Sequence, residues 1–230
     1  MSEITNNMHG NNYHGNINRD QNYKFCNLRL VSESLESCLL DGEDIHLGHY
    51  LDAYRELKKF CTLMGSVFGF VASEIEHKTG ILEEYRKNDE CGNFLTMKSM
   101  IEYEKTEGLS RNDNYTSGCR TLLLLNRGLD FLRKFLERTS KLNLNESTKH
   151  AAKESYEETL ANHHVWYVRT GARIAMLTMP SKQNLLDYVL GPGDQQTYML
   201  QYLPSVLTAA NRVHHRTHTT LQNNNLLNLA

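Results

Sequence analysis

Residues 57–82 read Leu57-Lys-Lys-Phe-Cys-Thr-Leu-Met-Gly-Ser-Val-Phe-Gly-Phe-Val-Ala-Ser-Glu-Ile-Glu-His-Lys-Thr-Gly-Ile-Leu82, and the spacing of their apolar residues is helical. At about 100° per residue, Leu57, Phe60, Met64, Val67, Phe68, Val71, Ile75 and Leu82 fall on one face. Lys58, Lys59, Glu76, Glu83 and Glu84 point away from it. Lys78 falls near the middle of the apolar face and Glu74 on its flank. A cation turned inward is costly unless a partner meets it. The plainer alternative is a Glu74–Lys78 pair on a helix surface, worth roughly 0.2–0.5 kcal/mol.

The same period extends in both directions. Leu28, Val31, Leu35, Cys38 and Leu39 mark a first helix that ends near Gly42. Residues 46–87 form one long or broken helical stretch, with Gly65 and Gly69 as bend points. Helices follow over 93–108, 117–140 and 146–179, the last broken near Asn162. A short helix follows Pro180 with Ser181 as its N-cap, and Gly191-Pro-Gly ends it. The last helix runs from Gln195 to Leu221, with a possible kink at Pro204. No stretch alternates with period two long enough to argue a strand. The expected class is all-α, with about eight helices.

Composition narrows the function. The chain has 230 residues, with 25 Lys and Arg against 27 Asp and Glu, so no net field draws nucleic acid. The longest nearly unbroken apolar run, residues 61–72, is shorter than the roughly 20 residues a bilayer span needs. No apolar signal core occupies the first thirty residues. Five cysteines, an odd number with no C-x-x-C, read as reduced thiols in the cytoplasm. Residues 1–23 are rich in Asn, Gly and His and are expected to form a disordered tail, leaving one domain over 24–230. No G-x-S-x-G, Walker A, G-x-G-x-x-G or H-E-x-x-H motif occurs, so the expectation is a non-enzyme without cofactor or metal.

Three further constellations stand out. In 117–140, Thr121, Leu124, Gly128, Phe131 and Phe135 share an apolar face. Arg120 and Arg127 lie on its edge, while Asp130 and Arg133 point out. Arg120 falls in the first turn, where the helix dipole disfavours a cation, which invites an anionic partner. Alternatively its stem packs on apolar neighbours while the guanidinium reaches water. His164 shares a face with Val168, Gly171, Ala172, Ala175 and Met179, small residues that would let another helix pack closely. Trp166 points nearly the opposite way. His214 and His218 have i,i+4 metal spacing, but no Asp or Glu follows Asp194. With Arg212 and Arg216 they read more simply as a basic, solvated or membrane-facing edge.

Several of these stretches resemble the glycolipid transfer protein family, and most closely its ceramide-1-phosphate branch. The matching residues are Met64-Gly-Ser-Val-Phe-Gly-Phe-Val-Ala-Ser-Glu-Ile-Glu-His-Lys78, Ser117-Gly-Cys-Arg-Thr-Leu-Leu123 and Leu160-Ala-Asn-His-His-Val-Trp-Tyr-Val-Arg169, with Thr178-Met-Pro180 and a late Leu-Leu-Asn-Leu. The resemblance covers nearly everything after the tail. It implies a two-layer helical sandwich enclosing a hydrophobic lipid pocket, and a cytosolic carrier that moves one sphingolipid between membranes. It places Glu74, usually Asp, at the ceramide amide N–H and His164 at the amide carbonyl. Lys78 takes a position where phosphate binders carry Lys and glycolipid binders Asn. Arg120 matches a phosphate-binding Arg, and Trp166 a membrane-docking Trp.

Leu124 departs from the pattern. It stands where glycolipid binders stack a sugar on Trp and phosphate binders place a second Arg, for which Arg127 is a possible substitute. The expected cargo is ceramide-1-phosphate. The alternatives are another sphingolipid headgroup, such as a sugar or phosphoethanolamine, or a lipid sensor working through a partner protein. The expected partners are the sphingolipid and, transiently, the cytosolic face of a membrane, with the protein a monomer.

Overall fold

A computed structural model describes residues 24–230, apart from the side chains of Ser66 and Val67. The expected tail, residues 1–23, and the Val67 side chain therefore lie outside the described residues. The helices are α1 (Leu28–Ser37), α2 (Leu47–Leu63), α3 (Ser66–Asn88), α4 (Met97–Thr106), α5 (Gly118–Ser140), α6 (Lys149–Glu158), α7 (Trp166–Leu177), α8 (Lys182–Leu190) and α9 (Gln195–Asn223). The class is all-α as expected. The described residues hold nine helices rather than about eight, because both suspected breaks are complete.

At the first break, Gly65 adopts φ +98°, a conformation that favours glycine, and the chain reverses. Lys58 pairs with Glu76 and Arg55 with Glu83, so α2 and α3 run antiparallel as a helical hairpin. Gly69 is not a bend point but lies inside α3. At the second break, a short 3-10 turn (Ala161–His163) and the extended residues His164 and Val165 separate α6 from α7. α9 continues through Pro204. A two-residue hairpin, β1 (Leu39–Leu40) with β2 (Asp44–Ile45), closes around a 3-10 turn, too short to show as a period.

α1 packs on α2 and α9, and α5 packs on α9, α6, α3 and α4. Leu122, Leu125, Leu129 and Phe135 of α5 are buried, with Leu35, Leu51, Tyr54 and Val213 from the surrounding helices. Tyr54 donates to the Leu125 carbonyl at 2.6 Å, satisfying its hydroxyl inside this core.

Both ends of α5 meet buried charges. At its start, Ser117 is the N-cap and accepts from the Arg120 N–H at 3.1 Å. The fully buried Glu104 of α4 accepts from the Ser117 hydroxyl at 2.7 Å and from the backbone N–H groups of Gly118 and Cys119. A Cβ on Gly118 would stand 2.7 Å from Met100 Sδ and 3.1 Å from Glu104 Oε1, so only glycine lets the carboxylate approach. At the other end, buried Lys182 donates to the carbonyls of Ser140 and Leu142 at 2.9 and 2.8 Å. An anion at the N-terminus and a cation at the C-terminus both complement the helix dipole.

Glu104→Gln keeps the shape but turns an NH2 donor toward backbone N–H donors. It should lower stability by about 2–3 kcal/mol, read as a shift in the urea unfolding midpoint. An unshifted midpoint would show that the carboxylate charge is dispensable.

Candidate functional site

Arg120, Leu124 and Arg127 follow at i, i+4 and i+7 on α5, so they form one stripe, and all three are half-buried. Among the described residues the Arg120 guanidinium makes no ion pair, and its buried Nε has no hydrogen-bond acceptor. Glu104 supplies the anion that the helix start calls for, but it is committed to Ser117, Gly118 and Cys119.

The second cation comes from α3. Lys78 is 22% exposed, and its ammonium lies 3.8 Å from Glu74 Oε2, beyond hydrogen-bond range. Glu74 itself is 53% exposed. The pair is therefore not an ordinary surface bridge, since one member is sunk and the other is in solvent. Leu82, one turn after Lys78, packs at Gly118, two residues before Arg120. Lys78 and Arg120 thus arise at the same helix crossing. Arg86 is another part-buried guanidinium whose Nε lacks an acceptor, but it lies against Gly48 and His46 at the start of α2.

The third element is the junction between α6 and α7. His164 Nδ1 lies 2.8 Å from the Tyr156 hydroxyl. Burial first, and then the Arg127 charge, hold the His164 pKa below its usual value, which keeps the ring neutral at pH 7. His163 is lowered by burial, Arg127 and His164. The Arg127 charge thus acts on both rings, while its Nη2 donates to the carbonyls of Leu227 and Ala230, each at 3.0 Å.

The structure corrects three expectations. His164 is not on a helix face with Val168, Gly171 and Ala172, because α7 begins only at Trp166. No helix packs on Gly171, where an added Cβ would meet nothing within 4 Å. Asp130 and Arg133 do not point out. Each is about one-fifth exposed, because α9 packs over them with Asn211 on Arg133 and His214 near Asp130. The 212–218 edge is solvated at Arg212 and His215, as expected, with Arg212 paired with Glu36, while Arg216 is 11% exposed on Glu43 and the Leu40 and Asp44 carbonyls. Among the described residues, no three His, Cys, Asp or Glu side chains could together hold a metal.

α7 is thinly attached. Only Met176 of its twelve residues is buried, while Trp166, Tyr167, Ile174 and Leu177 are exposed, Trp166 by 72%. No described helix is long and apolar enough to cross a membrane. Two shallow open clefts lie elsewhere, one of about 450 Å³ between Lys98, Lys105 and Asn224, the other of about 440 Å³ at Phe25, Leu190 and Tyr198.

Residues 45–191 match the model of the family described as glycolipid transfer protein. The chain belongs to the glycolipid transfer protein family. A ceramide-1-phosphate transfer protein of Danio rerio is 32% identical over 206 residues, covering 88% of this chain and 97% of that one. The apo-form crystal structure of mouse ceramide-1-phosphate transfer protein superposes with a TM-score of 0.82 at 29% identity, covering 89% of this chain and 99% of that one. The human ceramide-1-phosphate transfer protein in complex with 12:0 ceramide-1-phosphate gives a TM-score of 0.80 at 27% identity, covering 89% of this chain and 100% of that one. The helical architecture expected from the sequence is thus the fold of these relatives.

Two residues escaped sequence reasoning. Glu104 follows Met97, Met100 and Ile101 at helical spacing, so it occupies an inward position, as Lys78 does, and the same test would have found it. Tyr156 is joined to His164 across a chain break that periodicity does not show.

Arg120 sits in a helix start, half-buried and without a partner among the described residues. Arg120→Leu should therefore leave unfolding stability unchanged or raise it by up to about 1 kcal/mol. Thermal melting checks this, and a loss above about 2 kcal/mol would mark Arg120 as part of the scaffold.

Proposed function

We propose that this chain is a non-enzymatic carrier that takes up a single sphingolipid and moves it between membranes, with ceramide-1-phosphate as cargo. The observation that carries the reading is an Arg120 guanidinium with no partner among the described residues, on the helix that meets the helix of sunken Lys78 where Leu82 approaches Gly118. A phosphate monoester carries about −1.5 to −2 charge at pH 7 and three acceptor oxygens, which suits a guanidinium fork and an ammonium. A neutral sugar would leave both cations unpaired. Leu124 also offers no aromatic platform on which a sugar could stack. The names of the relatives, and the lipid in the human complex, support the same cargo.

Each remaining site residue has a role in this reading. Glu74 reaches toward the ceramide amide N–H, its extra methylene compensated by its exposed position. In this reading His164 Nδ1 accepts from the Tyr156 hydroxyl 2.8 Å away, so that the ring proton sits on Nε2, ready for the amide carbonyl. Arg127 adds positive charge beside His164. Trp166 and its exposed apolar neighbours on α7 enter the bilayer interface, where an indole is favoured. The protein works as a monomer in the cytosol and touches the cytosolic face of membranes only transiently.

Native mass spectrometry of purified protein incubated with mixed sphingolipids tests the cargo. Retention of a neutral glycolipid in preference to ceramide-1-phosphate would overturn the assignment. Arg120→Leu should abolish vesicle-to-vesicle transfer of ceramide-1-phosphate, and undiminished transfer would remove Arg120 from the site. Leu124→Arg places a second guanidinium one turn from Arg120. It should tighten ceramide-1-phosphate binding about tenfold, roughly 1.4 kcal/mol. A joint fall in affinity and melting temperature would instead put Leu124 in the core. Trp166→Ala should reduce partitioning onto vesicles several-fold while changing affinity for soluble short-chain lipid little, and equal partitioning would rule out the docking role.

A further inference from the structure

The segment that follows α9, residues 224–230, turns back on itself and is fastened at several points. Asn225 takes φ +59°, a left-handed conformation that asparagine tolerates better than most residues, and the Leu226 N–H returns to the Leu221 carbonyl at 2.9 Å. Leu226 and Leu229 are buried. Lys105 donates to Asn224 Oδ1 at 2.9 Å, and Arg111 to the Asn225 carbonyl and Asn228 Oδ1 at 2.9 and 2.8 Å. The remaining bonds come from Arg127, whose Nη2 reaches the carbonyls of Leu227 and Ala230.

Those two bonds use both hydrogens of Nη2. A guanidinium has five N–H donors, so three remain, on Nη1 and Nε. Arg127 makes no ion pair with an Asp or Glu among the described residues, and it lies two turns from Arg120 on the same stripe of α5, where its charge helps to lower the pKa values of His163 and His164. A long flexible side chain tied by one nitrogen loses much of its rotamer freedom before any ligand arrives, so less entropy is lost on binding.

We propose that residues 224–230 act as a positioning strap for the headgroup site, holding Arg127 beside His164 with its free N–H groups available to an anionic headgroup. This rests on the functional reading above and extends it to the segment that carries the late Leu-Leu-Asn-Leu, which follows the matched region of residues 45–191. Arg127 touches the headgroup, and the strap acts through Arg127.

The test uses the full chain, Arg127→Gln, a chain lacking residues 227–230, and the two changes combined. Ceramide-1-phosphate transfer between vesicles, melting temperature and the NMR titration of His164 are measured for each. Each single change should reduce transfer about tenfold, and the combination should cost no more than the worse single change, because strap and guanidinium act as one unit. Both should move the His164 titration upward, as a nearby positive charge is lost or displaced. Losses that multiply, or a folded deletion with native transfer and an unmoved His164, would overturn the strap. If the deletion melts early because Leu229 leaves the core, Asn225→Val decides, since it retains every anchor but strains the turn. Reduced transfer with a raised His164 titration supports the strap, and native values for both overturn it. A wild-type chain that moves no ceramide-1-phosphate overturns the functional reading itself, whereas wild-type transfer with unaffected variants overturns only the strap.

Discussion

The carboxylate of Glu104, sealed at the start of α5, is the contact on which the arrangement of the site depends. Taking an ion out of water is costly, and the cost is met only when its acceptor capacity is filled. Here three donors converge on it, from Ser117, Gly118 and Cys119. Lys182 does the converse at the far end, giving its ammonium to two carbonyls. A helix of 23 residues, about 35 Å long, is thereby held at both ends by charges of the sign its dipole prefers. It cannot slide along its axis without uncovering one of them. The positions of Arg120, Leu124 and Arg127 relative to α3 follow from that restraint.

The scaffold shows by contrast what an unsatisfied charge means. Arg216 has a carboxylate and two carbonyls, Lys182 two carbonyls, and Arg138 two carboxylates and a hydroxyl. Beside these, Arg120 has no partner among the described residues, and Lys78 only a distant one. Arg86 has the same deficit, but it lies against Gly48 and His46 at the start of α2. The proposed ligand site rests on two under-partnered cations carried by adjoining helices rather than on one alone.

Most of the helices were legible because their burial repeats every 3.6 residues, and that period survives any tertiary arrangement. Gly65 was legible as a break but not as a reversal, because a glycine does not declare its φ. The antiparallel pairs Lys58–Glu76 and Arg55–Glu83 become visible only once the chain has turned. The surroundings of His164 are hidden for a related reason: the helical period after Asn162 assigns it neighbours on α7, which begins only at Trp166. Asp130 and Arg133 were placed outward on apolar spacing alone, whereas α9 covers them with polar partners that such spacing cannot register. Glu104 and Lys182 were within reach, since each is a charge at an apolar position of its helix, the pattern that drew attention to Lys78.

The site therefore combines a rigid side and a lightly held one. α5 is fixed by Glu104, Lys182 and a dense core, whereas α7 buries one residue and leaves an indole, a phenol ring and two aliphatic side chains in water. The division suits a carrier. Recognition of a headgroup needs cations whose positions do not change between membrane and solution, because each ångström of drift weakens a charge-assisted hydrogen bond. Uptake of lipid chains needs an element that can move aside with few contacts to break, and exposed apolar side chains are costly only until a bilayer covers them. His164 and Tyr156 lie where the two meet, at the end of α6 and just before α7 begins. A movement of α7 would there be felt by the residue proposed to hold the ceramide amide, while the cations on α5 stayed in place.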